Sequence, residues 1–212
     1  MLRRTLFLIL FVLPFQLFSG NFSANIGVNH SWLYYPDISV TDNDFDINYS
    51  FGMSYAHKSI YDLELSYGLR LFEVGRYDKL RFNDSTEKIN IRHIYVSLPL
   101  RVGYRFFGTF EPFLNLEPGI QVFSRTEQSG SFTDGTEKQN ITDEMNRVNL
   151  FAGIGMKYLF SVFNQQFGLA SQINFGLLRV SKDGKLNVTE NSYRQWADWR
   201  TREVLIFIEY YF

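Results

Sequence analysis

Cysteine is absent from this chain of 212 residues, which excludes disulfide frameworks, CxxC redox chemistry, thiolate zinc sites, a cysteine nucleophile and a lipidated N-terminal cysteine. Histidine is scarce, with 3 in all, and no two stand at metal-ligand spacing, so no metal site is expected. Neither sign of charge dominates. Lys+Arg 21 against Asp+Glu 22 leaves a formal net charge of -1, and no basic run stands out, so nothing favours a nucleic-acid partner. Glycine-rich phosphate loops are missing; Gly153-Ile154-Gly155 falls inside a strand, where small inward residues make room for neighbours. Beyond residue 20 no segment approaches about 18 continuous apolar residues, so any membrane crossing must be by strands. A mean hydropathy of -0.15 also argues against a bundle of membrane helices. What is abundant is aromatic: Phe 22 and Tyr 13, in a chain that is 18% aromatic. The length fits one domain.

Residues 1–20 carry Arg3 and Arg4, then an apolar run from Leu6 to Phe18 broken only by Pro14 and Gln16, then Ser19-Gly20. This pattern predicts a secretory signal peptide, with the barrel domain as residues 21–212. The cleavage point is not defined, because Phe18 and Phe22 stand where small residues are wanted. A retained anchor helix is the alternative.

After residue 20 the dominant signal is alternation with period two, which predicts eight strands near 22–35, 47–56, 63–72, 93–106, 114–122, 148–160, 169–177 and 203–212. In the third, Leu63, Leu65, Tyr67, Leu69 and Leu71 oppose Glu64, Ser66, Gly68, Arg70 and Phe72. One face is thus apolar with aromatics at its ends, and the other is small, polar or charged. That is the reverse of a soluble barrel around a greasy cavity, so the apolar face is expected to meet lipid. From Leu63 to Leu71 the apolar register lasts about nine residues, enough for a tilted strand to cross the hydrocarbon. Glu73 then falls on the outward register and marks where that strand leaves the lipid.

Long polar connections at 36–45, 74–88, 125–146 and 181–200 alternate with short turns at 58–60, 107–110 and 161–166. Long on one side and short on the other is the pattern of outer-membrane barrels, and lipid requires the sheet to close. Both termini then lie on the short-turn, periplasmic side. Two prolines oppose this reading, Pro99 and Pro118, since a closed sheet excuses no missing N–H. With the turn centred near Thr109 they lie almost opposite each other, and one shared bulge is expected to hold both. His30 falls on the outward register, in the headgroup belt.

An eight-stranded barrel is just wide enough for its interior to be filled by side chains, so inward charges must pair. The same turn centre sets Arg101 across from Glu117. Glu64, Lys157 and Glu209 belong to the periplasmic half, with Arg70 somewhat higher. Three glutamates against four basic groups is nearly neutral, which favours a structural ion network over a proton path or gated plug, although ionisable residues at membrane depth are functional candidates by default.

Catalysis has little support. His57-Lys58-Ser59 matches the His-x-Ser letters of lipid A deacylases but lies on a periplasmic turn, whereas that site is expected near the outer leaflet. His93 shows no nucleophile beside it in the sequence. Asp37, Asp42, Asp44 and Asp46 form an acidic loop, read as solvated rather than calcium-binding. Tyr193, Trp196 and Trp199, among Arg194, Arg200 and Arg202, make the last loop the candidate interaction surface, against the plainer reading of an aromatic girdle.

The stretch Tyr95-Val-Ser-Leu-Pro-Leu-Arg-Val-Gly-Tyr-Arg-Phe106, followed by Glu111-Pro-Phe-Leu, resembles the Tyr-x-x-x-Pro-x-x-x-x-Tyr-x-Phe strand and following Pro-aromatic strand of PorT-like, OmpA-like outer-membrane β-barrels. The closing residues, with Tyr210 and Phe212, are similar to the C-terminal aromatic signal read by the barrel assembly machinery. The resemblance implies an exported eight-stranded antiparallel up-and-down barrel in the outer membrane of a Gram-negative bacterium. Its implied partners are outer-membrane lipid, lipopolysaccharide, the assembly machinery and a protein partner at the loops, with no cofactor. Such families include secretion-system components and adhesins, so the expected role is structural, adhesive or partner-binding. A narrow channel and a lipid-modifying enzyme are the alternatives.

Overall fold

A computed structural model describes residues 20–34, 47–58, 62–82, 85–130, 136–180, 185–186, 195–196 and 200–212. The leader 1–19, the acidic loop 35–46 and Ser59 lie outside these. The strands are β1 Gly20–Tyr34, β2 Ile47–Lys58, β3 Leu63–Phe82, β4 Ser85–Ser97, β5 Leu100–Tyr104, β6 Phe110–Gly130, β7 Thr136–Asn140, β8 Val148–Val162, β9 Gln165–Gly176, β10 Lys185–Leu186, β11 Gln195–Trp196 and β12 Arg200–Tyr211. Collinear β4 and β5 act as one stave, so β1, β2, β3, β4/β5, β6, β8, β9 and β12 make a closed, eight-stranded antiparallel barrel. Closure falls between β1 and β12, from Ser23↔Tyr211 to Tyr34↔Arg200. Among the described residues the one helical piece is a 3-10 turn at Thr142–Glu144.

The alternation decides which face is which. Ile26, Val28, Phe51, Met53, Leu69, Leu71, Leu100, Val102, Leu114, Ile154, Ile173 and Ile206 are exposed on the outer wall. Serine, asparagine, glutamine and charged side chains fill the inside. Aromatic rings gird the short-turn end: Tyr158, Phe160, Phe167, Tyr210 and Phe212 follow one another at centroid spacings of 6.3, 5.8, 5.3 and 5.1 Å. On the other side of the seam Tyr55 packs between Phe22 and Tyr67.

The short connections are tight. Phe163 and Asn164, with φ of 50 and 61, join β8 to β9, and positive φ at both central residues matches the right-handed twist of a hairpin. Phe107 and Gly108 do the same between β5 and β6, with φ of 51 and 74. This turn closes on the Phe106↔Phe110 bridge and centres one residue earlier than expected. In consequence Arg101 faces Asn115, not Glu117.

The prolines also behave differently. Ser97↔Gly119 and Leu100↔Leu116 lie in one continuous register, so no bulge forms around Pro99 and Pro118. Each keeps one ladder bond by accepting: Gly68 N donates to Pro99 O, and Leu98 N donates to Pro118 O. The cost is limited to the N–H that proline lacks. A register shift occurs instead between Ile94 and Tyr95 opposite β6, where Val122 and Phe123 both turn outward.

Two of the expected long loops are largely strand. Residues 74–82 and 85–88 belong to an antiparallel pair in which β3 and β4 run together from Arg70↔Ser97 to Phe82↔Ser85. Residues 125–146 contain the upper part of β6 and its partner β7. Above the bilayer no lipid demands an apolar outer face, so the period-two signal fades, while backbone groups still gain by pairing.

Small inward residues admit large neighbours. A Cβ on Gly155 would lie 2.4 Å from the Phe113 ring and 2.6 Å from Ser171 O, whereas one on Gly119 would meet nothing closer than 3.4 Å. Gly155→Val is therefore expected to cost about 1–3 kcal/mol or more through overpacking, while Gly119→Ala is near neutral. Urea titration of folding into lipid vesicles checks the difference; equal midpoints would remove this packing argument.

The candidate functional site is the filled lumen

Inward parity on every stave collects the chain's buried charges in two tiers. In the tier nearer the short turns, Lys157 Nζ lies 2.8 Å from Glu64 Oε1, 2.9 Å from Glu111 Oε1 and 3.7 Å from Glu209 Oε2. Arg101 Nη1 donates to Glu209 Oε1 at 2.9 Å, and its guanidinium lies 4.7 Å from the Phe207 ring centroid. Arg105 bridges Glu64 and Glu111, and Tyr211 OH donates to Glu209 Oε2 at 2.7 Å. Three carboxylates thus meet three cations, and each charge has a partner.

The second tier is built around Arg70. Its Nη2 donates to both oxygens of Glu203, at 2.9 and 2.8 Å, and its Nε stands 3.1 Å from Glu117 Oε1. Asn174 donates to Glu203 at 2.8 Å and Asn29 donates to it as well. Glu117 receives Ser97 and Asn115. Arg70 Cζ lies 3.8 Å from the centroid of Phe72. Phe72, Tyr95 and Phe151 sit mutually 5.5 Å apart and form an aromatic deck above the charges. Each of the three is buried. Further out, His93 and Ser124 are fully enclosed, and Ile91, Ile141, Met145 and Val180 are buried. The segment after β7 folds back onto β6, with Ile141 N donating to Ser124 O and Ser124 N to Thr142 Oγ1.

The six charges singled out from the sequence all lie inside, yet their pairing differs from expectation: Arg101 meets Glu209, and Glu117 meets Arg70. Arg105, on the inward register of its strand, is the fourth base of that count. Two carboxylates were missed: Glu203 stands on the inward register of the last strand, and extending the fifth strand by parity to residue 111 would have added Glu111. The tally becomes five carboxylates against four bases. His93 also has a hydroxyl beside it, Ser124 Oγ at 2.6 Å from Nδ1, brought there by the β4–β6 pairing that no local spacing reveals. Both residues are sealed from solvent.

Residues 17–181 match the outer membrane protein beta-barrel domain. The chain belongs to that family. It is a protein of the bacterial outer membrane. Among solved structures it is similar to Ail of Yersinia pestis, at 14% identity and a TM-score of 0.46 over 92% of this chain and 99% of that one. It is also similar to Neisserial surface protein A, at 11% and 0.47 over 92% and 99%, and to OprG from Pseudomonas aeruginosa, at 12% and 0.41 over 92% and 96%. No curated protein matches it.

In this outer-membrane barrel Tyr210 and Phe212 lie on the closing strand and just beyond its end. Tyr210 OH donates to Gln165 Oε1 at 2.8 Å, Phe212 N donates to Phe22 O at 2.9 Å, and the Phe212 side chain is exposed. Trp196 belongs to β11, where its backbone pairs with Lys185; Tyr193 and Trp199 lie outside the described residues.

Proposed function

We propose that this barrel is a non-enzymatic, non-conducting outer-membrane protein that works through its outward loops or its periplasmic rim, as a structural, adhesive or partner-binding element. The observation that carries this reading is the lumen: two tiers of paired charges under a packed aromatic deck, in a barrel of the width that side chains can fill. Residues 1–20 then serve as the export signal, Tyr210 and Phe212 as the signal for the assembly machinery, and Tyr193, Trp196 and Trp199 as a loop surface for a protein partner. The Tyr95–Phe106 motif supports a PorT-like kinship and with it an accessory role in secretion.

Planar bilayers test the closed lumen. Purified protein is expected to give no discrete steps above leak. A reproducible step, abolished by Glu117→Gln or Arg101→Gln, would replace this reading with a narrow channel. Loss of lipid A acyl chains on expression, dependent on His57, would replace it with an enzyme. Cross-linking in whole cells, with recovery of one reproducible partner, supports the interaction role.

A further inference from the structure

Cross-strand neighbours on one face of an antiparallel pair stand within about 5 Å, and like charges there repel. Arg92 on β4 is directly opposite Arg125 on β6, and both point outward, by the parity that turns His93 and Ser124 inward. Each guanidinium reaches a carboxylate through a terminal nitrogen, Arg92 Nη1 to Glu73 Oε1 at 3.3 Å and Arg125 Nη2 to Glu127 Oε1 at 3.1 Å. Lys138 Nζ competes for the same Glu127 oxygen at 3.2 Å. The Nε of both arginines is shielded from water and has no acceptor among the described residues. With Lys88 exposed two outward positions above, this patch holds four described cations and two carboxylates.

Its height on the wall matters. Immediately below, Ile94 stands opposite Phe123, and from there the outward register stays apolar down to Phe106 beside the periplasmic turn. At about 3.3 Å per residue and a tilt near 40°, that run spans roughly the 25–30 Å of a barrel's lipid-facing band. The arginine pair therefore stands where the outer leaflet's headgroups lie. A phosphoryl group between the two guanidiniums would accept from their remaining terminal Nη–H groups and cancel their repulsion, and acyl chains would run down over Ile94 and Phe123.

We propose that Arg92 and Arg125 form a binding site for the phosphate of an outer-leaflet lipid. The occupant is a phosphorylated lipid, chosen over a free anion because the charged and apolar halves of the site are contiguous.

Native mass spectrometry of the folded chain in maltoside micelles tests this, using bis-phosphorylated lipid A, the same lipid with both phosphates removed, and inorganic phosphate. Wild type is expected to retain the phosphorylated lipid about tenfold more tightly than the dephosphorylated one, and the Arg92→Gln, Arg125→Gln double variant to lose that difference. Glu73→Gln, which frees Arg92 of its competing carboxylate, is expected to tighten retention, a gain that misfolding cannot mimic. Equal retention of the two lipids, or no effect of Glu73→Gln, overturns the proposal. Displacement of the lipid by millimolar inorganic phosphate would overturn the choice of a lipid over a free anion.

Discussion

Replacing Arg70 with leucine is expected to cost about 3–5 kcal/mol, the penalty for stranding buried charge when one partner of an enclosed pair is removed. Here two carboxylates lose their counter-ion together. Glu117 and Glu203 are wholly buried, and among the described residues Arg70 is the cation within salt-bridge reach of either. Their remaining partners, Ser97, Asn115, Asn29 and Asn174, are neutral donors. A triple variant, Arg70→Leu with Glu117→Gln and Glu203→Gln, removes all three charges while retaining amide oxygens for the same donors, and much of the stability should return. Urea titration of folding into vesicles, read with the heat-dependent gel shift of barrels, measures both. If Arg70→Leu costs less than about 1 kcal/mol, the tier does not hold the barrel together.

The second large effect concerns the outer wall. Ile154 is 59% exposed near the middle of β8, flanked by Leu114 and Ile173 on the neighbouring strands. Arginine at this depth is expected to cost about 2–4 kcal/mol, because the charge must be desolvated or must drag water into the hydrocarbon. On the same strand Val162 stands beside the Phe163–Asn164 turn and is also exposed. Val162→Arg should cost only about 0–1 kcal/mol, since an interfacial cation reaches water and headgroups. The pair shares one strand, one face and one substitution, so depth alone separates them. Equal costs in the vesicle titration would mean that Ile154 does not face lipid.

The register of single strands was legible because lipid imposes it. Along Leu63–Leu71 or Val204–Phe212 every second residue must be apolar, and that demand is visible without any knowledge of neighbours. It ends where the lipid ends. The upper hairpin of β3 and β4, with no lipid to demand an apolar face, leaves no periodic trace, and so it read as a loop. The same holds for the continuation of β6 and its partner β7.

Inside the barrel the sequence by itself determined which charges are enclosed, through parity, and that they must be neutralised, through the cost of desolvation. Which charge meets which was a tertiary decision. Moving the β5–β6 turn centre by one residue took Glu117 away from Arg101, and closing β12 onto β1 brought Glu203 to Arg70 from 133 positions away. The Arg92–Arg125 pair was hidden for the same reason, because its two members become neighbours only once β4 and β6 share a register. Period-two patterning is a property of one strand in its solvent, whereas a pairing depends on turn geometry and on closure, and those are set by the whole sheet.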